Sequence, residues 1–315
     1  MPTGRSGSIK LFRLQGIEVF LHWSWFLVAV FEINSRRGDY GSVAWNVLEY
    51  LALFLIVLTH EFGHALACRS VGGIANRIVL WPLGGVAYVD PPPRPGATLW
   101  SIAAGPLVNV ALIPILWLLN SAALSAGWAD TMPNAMRLIG SISFINTWLL
   151  IFNILPIFPL DGGQILRSLL WFVMGRARSL LVATVLGFVG AAGFIYFAYR
   201  VSSTWLVILA IFMVWNSWAG LKHALVLLKM QKIPRREGFA CPTCNTPPPL
   251  GERWACANCR QAFDTFATGA VCPHCGARYA ETRCFDCGRA HPMNQWVPGA
   301  IVVGPAIVAD KVSQP

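Results

Sequence analysis

Apolar residues run along most of this chain in long blocks, with polar positions gathered between them. A helix that crosses a bilayer needs about 20 mostly apolar residues. Six blocks approach that length: Gly16–Phe31, Trp45–Ala67, Leu99–Leu119, Ile139–Leu155, Leu180–Tyr199 and Thr204–Leu228. The fourth is short and is predicted to run on toward Asp161 in a broken form. Between the second and third blocks, Val71–Pro95 carries the pairs Gly72-Gly73 and Gly84-Gly85 among β-branched and aromatic residues. That pattern predicts a hairpin or re-entrant segment. Non-helical backbone at membrane depth persists only where protein or a wet cavity covers it, so the segment points to a water-filled site nearby.

Composition agrees with the pattern. Of 315 residues, 56% are hydrophobic and only 12% charged, about half the charged fraction of a soluble domain. A conventional soluble enzyme and a disordered chain are both excluded. The net charge of +10 sorts by side. With the N-terminus inside, the inner segments hold Arg5, Lys10, Arg13, Arg69, Arg77, Arg94, Arg167, Arg176, Arg178, Lys222, Lys229, Lys232, Arg235 and Arg236. The outer ones hold only Arg36, Arg37, Arg137 and Arg200. The positive-inside rule then places both termini in the cytoplasm of a multi-pass protein of the cell (inner) membrane. It also accounts for the basic charge without nucleic acid. The first block, preceded by Arg5, Lys10 and Arg13, reads as a retained anchor rather than a cleaved signal.

Several polar groups stand where lipid should exclude them. His60-Glu61-Phe62-Gly63-His64 closes the second block. On a helix, positions i and i+4 share a face, so both imidazoles reach one Zn²⁺ and Glu61 sits beside its open position as a base for bound water. A charge at mid-helix costs at least about 2.5–3.5 kcal/mol, which argues against mere packing. A catalytic zinc wants a third protein ligand, and Asp161 is the candidate. Pro156 and Pro159 break the helix before it, and Gly162-Gly163 lets the backbone turn. Counting residues from each end brings His60 and Asp161 to one depth near the inner surface. Asn153 either positions a substrate carbonyl or satisfies the broken backbone. Asn109 follows Gly105 by one helical turn and is expected to face the wet centre. His22 is assigned a structural or interfacial role, and Cys68 a buried, inert one.

These residues carry a resemblance. HEFGH at His60–His64, G-x-x-x-N at Gly105–Asn109 and N-x-x-P-x-x-x-x-D-G at Asn153–Gly162 look like the motifs of the site-2 proteases, M50-type intramembrane zinc metalloproteases. The similarity covers about residues 8–228. It implies zinc on His60, His64 and Asp161 with Glu61 as base. It further implies a compact six-helix fold with a membrane-associated β segment, and cleavage of transmembrane or membrane-anchored substrates within or beside the membrane, here near the cytoplasmic face, as in regulated intramembrane proteolysis. The reading from a different class is a noncatalytic zinc-binding membrane scaffold or transport component, against which the presence of Glu61 argues.

After Lys232 the sequence turns polar and rich in Pro and Cys. Cys241/Cys244, Cys256/Cys259, Cys272/Cys275 and Cys284/Cys287 form four Cys-x-x-Cys knuckles with gaps of 11, 12 and 8 residues. Paired consecutively, they predict two structural zinc ribbons, 241–260 and 272–290. A disulfide framework is disfavoured in a reducing compartment. The expected organisation is a membrane body over 1–231, a linker over 232–240, the two ribbons and a flexible tail over 291–315. Three zinc ions are expected, one catalytic and two structural. The predicted fold class is thus a polytopic α-helical membrane protein of about six helices with a β-hairpin and small zinc ribbons. Scattered basic residues such as Arg253 and Arg278 favour a cytoplasmic protein partner for the ribbons over nucleic acid.

Overall fold

The computed structural model describes residues 7–36, 38–81 and 84–297. It divides into two compact units, Met1–Leu228 and Lys229–Pro315. Most of the predicted tail (298–315) lies outside the described residues.

The first unit opens with β1 (Ser8–Leu14) and β2 (Ile17–His22). Gln15 and Gly16, both at positive φ (48° and 77°), join them in a two-residue turn, the conformation that matches strand twist in a hairpin. Helix α1 (Ser24–Ser35) and α2 (Val43–Ser70) follow, then β3 (Ile74–Trp81) and β4 (Gly84–Asp90). The strands form one sheet in the order β1-β2-β3-β4. β2 and β3 are parallel, with Val19 opposite Ile78, and β4 returns antiparallel as an edge. Ile17, Val19, Ile78 and Leu80 pack on Leu58, Ala65 and Cys68 of α2. The sheet is thereby fastened to the helix that carries the H-E-x-x-H motif. Its partner α3 (Pro95–Ser125) leads through α4 (Trp128–Thr131) to α5 (Pro133–Ile154).

The expected hairpin over Val71–Pro95 is present as β3–β4, but within a larger sheet. Among the described residues, five helices are long and apolar enough to cross a membrane, against about six expected. The first predicted span, Gly16–Phe31, is divided between β2 and the 12-residue α1. Its residues Ile17, Val19 and Leu21 alternate with Glu18, Phe20 and His22, a period of two that suits a half-buried strand.

Helix α6 (Asp161–Val201) is 41 residues long, but Gly175 (φ 80°, ψ 168°) interrupts it. At 1.5 Å per residue a straight helix would set Gly187 about 39 Å beyond Asp161. Instead a Cβ on Gly187 would lie 2.7 Å from the carbonyl oxygen of Phe158. The chain therefore doubles back at Gly175, and α6 is two antiparallel limbs, 161–174 and 176–201. The second limb packs against α7 (Thr204–Gln231), with Thr184 beside Gly220, Gly187 beside Ser217 and Ala191 beside Met213. Small residues at these points allow close helix approach.

The second unit is built from two-stranded ribbons, β5 (Trp254–Ala255) with β6 (Ala262–Phe263) and β7 (Thr282–Arg283) with β8 (Ala290–His291). Its aromatic centre holds the fully buried Trp296 against Phe266 at 4.9 Å between ring centroids.

Candidate metal centre

His60, Glu61 and His64 lie buried on one turn of α2. His60 Nδ1 donates to Asn109 Oδ1 (2.6 Å), and His64 Nδ1 donates to the carbonyl oxygen of Ser101 (2.9 Å). Both acceptors lie on α3, and neither oxygen can donate. Each ring therefore carries its proton on Nδ1 and presents an Nε2 lone pair. Asn109 is held in turn by Asn146 of α5. Its amide donates to Asn146 Oδ1 (2.8 Å), and Asn146 Nδ2 donates to the Asn109 backbone oxygen (3.0 Å). Both asparagines are fully buried.

Asp161 begins α6 after a non-helical stretch that Pro156 and Pro159 enforce. Its Oδ2 stands 3.1 Å from His60 Nε2 and 3.4 Å from His64 Nε2, and the two Nε2 atoms are 3.1 Å apart. Three acceptors this close repel one another unless a cation lies between them. Zinc ligands at about 2.0–2.1 Å in tetrahedral array stand about 3.3–3.4 Å apart, so the donor set fits that ion in kind and in spacing. Gly105 passes directly beneath the rings, where a Cβ would overlap His64 Nε2 and lie 2.8 Å from His60 Nε2.

The structure brings together His60, His64, Asp161 and Asn109 of the expected residues. Glu61 is buried beside them, within electrostatic reach of His64. Asn153 is half-buried in the last turn of α5, and among the described residues its side chain bonds to nothing in the cluster. Asn146 and the Ser101 carbonyl were not anticipated. His22 stacks on Trp81 with centroids 3.9 Å apart, away from the metal-site contacts.

The tail cysteines form two further clusters, with a pairing that corrects the consecutive one. Cys241, Cys244, Cys284 and Cys287 share one, and Cys256, Cys259, Cys272 and Cys275 the other. The inner two knuckles close on each other first, and the chain then returns the fourth knuckle to the first. Ribbons 241–260 and 272–290 are therefore not separate. The hydrophobic core explains the exchange: Phe266 and Trp296 pack directly on Cys241 and Cys284 and draw the outer knuckles together. Within each cluster, sulfur pairs between the two knuckles stand 3.6–3.8 Å apart, too far for disulfides and close to the roughly 3.8 Å edge of a tetrahedral Zn–S₄ site. All four knuckles share one turn, in which the amide four residues after the leading cysteine donates to that cysteine's carbonyl oxygen. In the inner cluster Tyr279 Oη donates to Cys256 Sγ (2.9 Å), which holds that thiol down at about 5.

The sequence profile of peptidase family M50 matches residues 49–127 and 125–197. A zinc metalloprotease of Methanocaldococcus jannaschii is 34% identical over 182 residues, 57% of this chain and 50% of that protein. Stage IV sporulation protein FB of Bacillus subtilis is 33% identical over 128 residues, 40% of this chain and 41% of that one. The chain thus spans about half the length of these curated relatives. Among solved structures, the site-2 protease from Methanocaldococcus jannaschii superposes with a TM-score of 0.51 at 28% identity, over 68% of this chain and 95% of that one.

Proposed function

We propose that this chain, which belongs to peptidase family M50, the site-2 proteases, is an intramembrane zinc metalloendopeptidase. The observation that carries the reading is the convergence of His60 Nε2, His64 Nε2 and Asp161 Oδ2 within 3.4 Å of one another. They come from two separated segments and lie beside a buried Glu61. The three would hold one zinc, which when bound supplies a Lewis acid and lowers the pKa of water toward neutrality. Glu61 takes the proton of the attacking water and delivers it to the departing amine nitrogen. Asn109 and the Ser101 carbonyl keep both Nε2 atoms aimed inward, so no ligand has to reorient during turnover.

A membrane-spanning substrate hides its carbonyls in helical hydrogen bonds and must unwind before it is cut. β4 supports a place for the unwound segment, since it is the last strand of its sheet and an edge strand accepts an added one. Both termini lie in the cytoplasm, and cleavage falls near that face of the cell membrane, in regulated proteolysis of membrane-anchored proteins. The two cysteine clusters each hold a structural zinc, and the tail docks a cytoplasmic protein partner. Asn153 remains the candidate for holding a substrate carbonyl, because its side chain is uncommitted. A noncatalytic scaffold would need the three ligands but not the carboxylate of Glu61.

The decisive test is Glu61→Gln in purified protein, assayed for zinc content and for cleavage of a transmembrane peptide. The expected result is retained zinc with cleavage abolished; undiminished cleavage overturns the assignment.

A further inference from the structure

Asp161 reaches the metal centre at the end of a loop that is braced within itself. The backbone amide of Leu160 donates to the carbonyl oxygen of Ile157 (2.9 Å), and Gln164 Nε2 donates to that of Pro159 (3.2 Å). These bonds tie residues 157–164 into one block, so whatever seats Ile157 and Phe158 also seats Asp161. The seat lies on the second limb of α6 and on α7. A Cβ on Gly190 would overlap Ile157 Cγ2 and lie 2.8 Å from its Cδ1. One turn earlier, a Cβ on Gly187 would lie 2.7 Å from the Phe158 carbonyl oxygen, and on α7 a Cβ on Gly220 would lie 3.1 Å from Phe158 Cε1. Ser217 Oγ donates to that same Phe158 oxygen (3.4 Å), and Ile157 packs on the cluster of Ala191, Leu209 and Met213.

Contacts this close leave no slack, and close-packed interiors pass on a shift of even one methyl group. We propose that Ile157 and Phe158 are positioning residues for Asp161, keyed into a cradle that Gly187, Gly190 and Gly220 leave open. The second limb of α6 and α7 thereby set where the third metal ligand stands, although the cluster of His60, His64 and Asp161 takes no ligand from either. The inference rests on the assignment of zinc to those three residues.

Chelator competition on the full chain in detergent, reading the zinc that Asp161→Ala releases, tests this. Gly190→Ala should weaken that zinc by about tenfold, even though alanine is the better helix former. Gly193→Ala, one turn on and with nothing within 4 Å of its Cβ, should leave the affinity unchanged. Ile157→Ala removes the wedge without adding an overlap and should also weaken binding. Gly190→Ala combined with Ile157→Ala should bind more tightly than Gly190→Ala alone, because the added methyl then has room. Wild-type affinity in Gly190→Ala or in Ile157→Ala overturns the proposal, and the second variant decides if the first does not fold. An equal loss in Gly193→Ala, or no recovery in the double variant, also overturns it. Should Asp161→Ala release no zinc, the metal assignment itself fails and the proposal with it. Release there, with no loss at Gly190 or Ile157, rejects the positioning role alone.

Discussion

Two buried amides and one backbone oxygen decide which nitrogen of each histidine faces the metal centre. Asn109 accepts a hydrogen bond from His60 Nδ1, while Asn146 accepts from the Asn109 side-chain amide and donates to its backbone oxygen, which fixes the amide's rotation. Partners of this kind typically change metal affinity 10–100-fold when removed. Asn146→Leu is therefore expected to weaken zinc binding by about tenfold without touching a ligand, as measured by chelator competition. An unchanged affinity would show that Asn109 orients His60 unaided. In the tail, Tyr279→Phe removes the donor that stabilises the Cys256 thiolate. Loss of that donor raises the thiol pKa, so protons displace metal earlier as pH falls. The midpoint of zinc release from the inner cluster should move to higher pH, read by titration with a zinc-sensitive dye. That His60, His64 and Asp161 come together was legible from residue type and spacing, because isolated groups this polar are costly inside lipid. Asn146 was not, since an asparagine in an apolar helix has many uses. The Ser101 carbonyl has no side-chain signature at all.

At the scale of elements, Gly175 governs whether Asp161 and α7 belong to one bundle. Its φ of 80° with ψ of 168° lies in a region that is essentially glycine-only and costs other residues about 1–3 kcal/mol. Gly175→Ala is expected to destabilise the protein by that amount, seen as a lower midpoint of thermal unfolding in detergent. An unaltered midpoint would mean that the limbs tolerate another path. This reversal was hidden because the reading by apolar blocks registered Leu180–Tyr199 but not the helix leading to it. The long helices α2, α3, α5 and α7 were readable from their apolar content, while β1 and β2 were not. Strand β2 pairs with β3, nearly sixty positions later, and no local pattern records such a pairing. The alternation from Ile17 to His22 was its one trace, masked by the apolar run it opens.

At the scale of the whole molecule, the membrane body and the tail depend on different forces. The body buries apolar surface and small-residue contacts, whereas the tail has only a modest aromatic core, and metal supplies much of the folding energy of such modules. The pairing of knuckles has a direct stoichiometric signature. Cys241→Ser with Cys287→Ser should remove one zinc per chain from the tail, because both residues belong to one cluster. Loss of two by elemental analysis would restore the consecutive arrangement. Four near-identical turns carry no information about partners, which is why their pairing was beyond reach of the spacing. The concentric wiring also sets an order of events. Cys259 and Cys272 are joined by a short loop, while Cys244 and Cys284 are about three times farther apart along the chain. Closing a long loop is entropically harder, and here the shorter ring lies within the longer one and contracts it in advance. Metal scarcity should accordingly open the outer ring and leave the inner ring filled, so that the tail loosens in two steps.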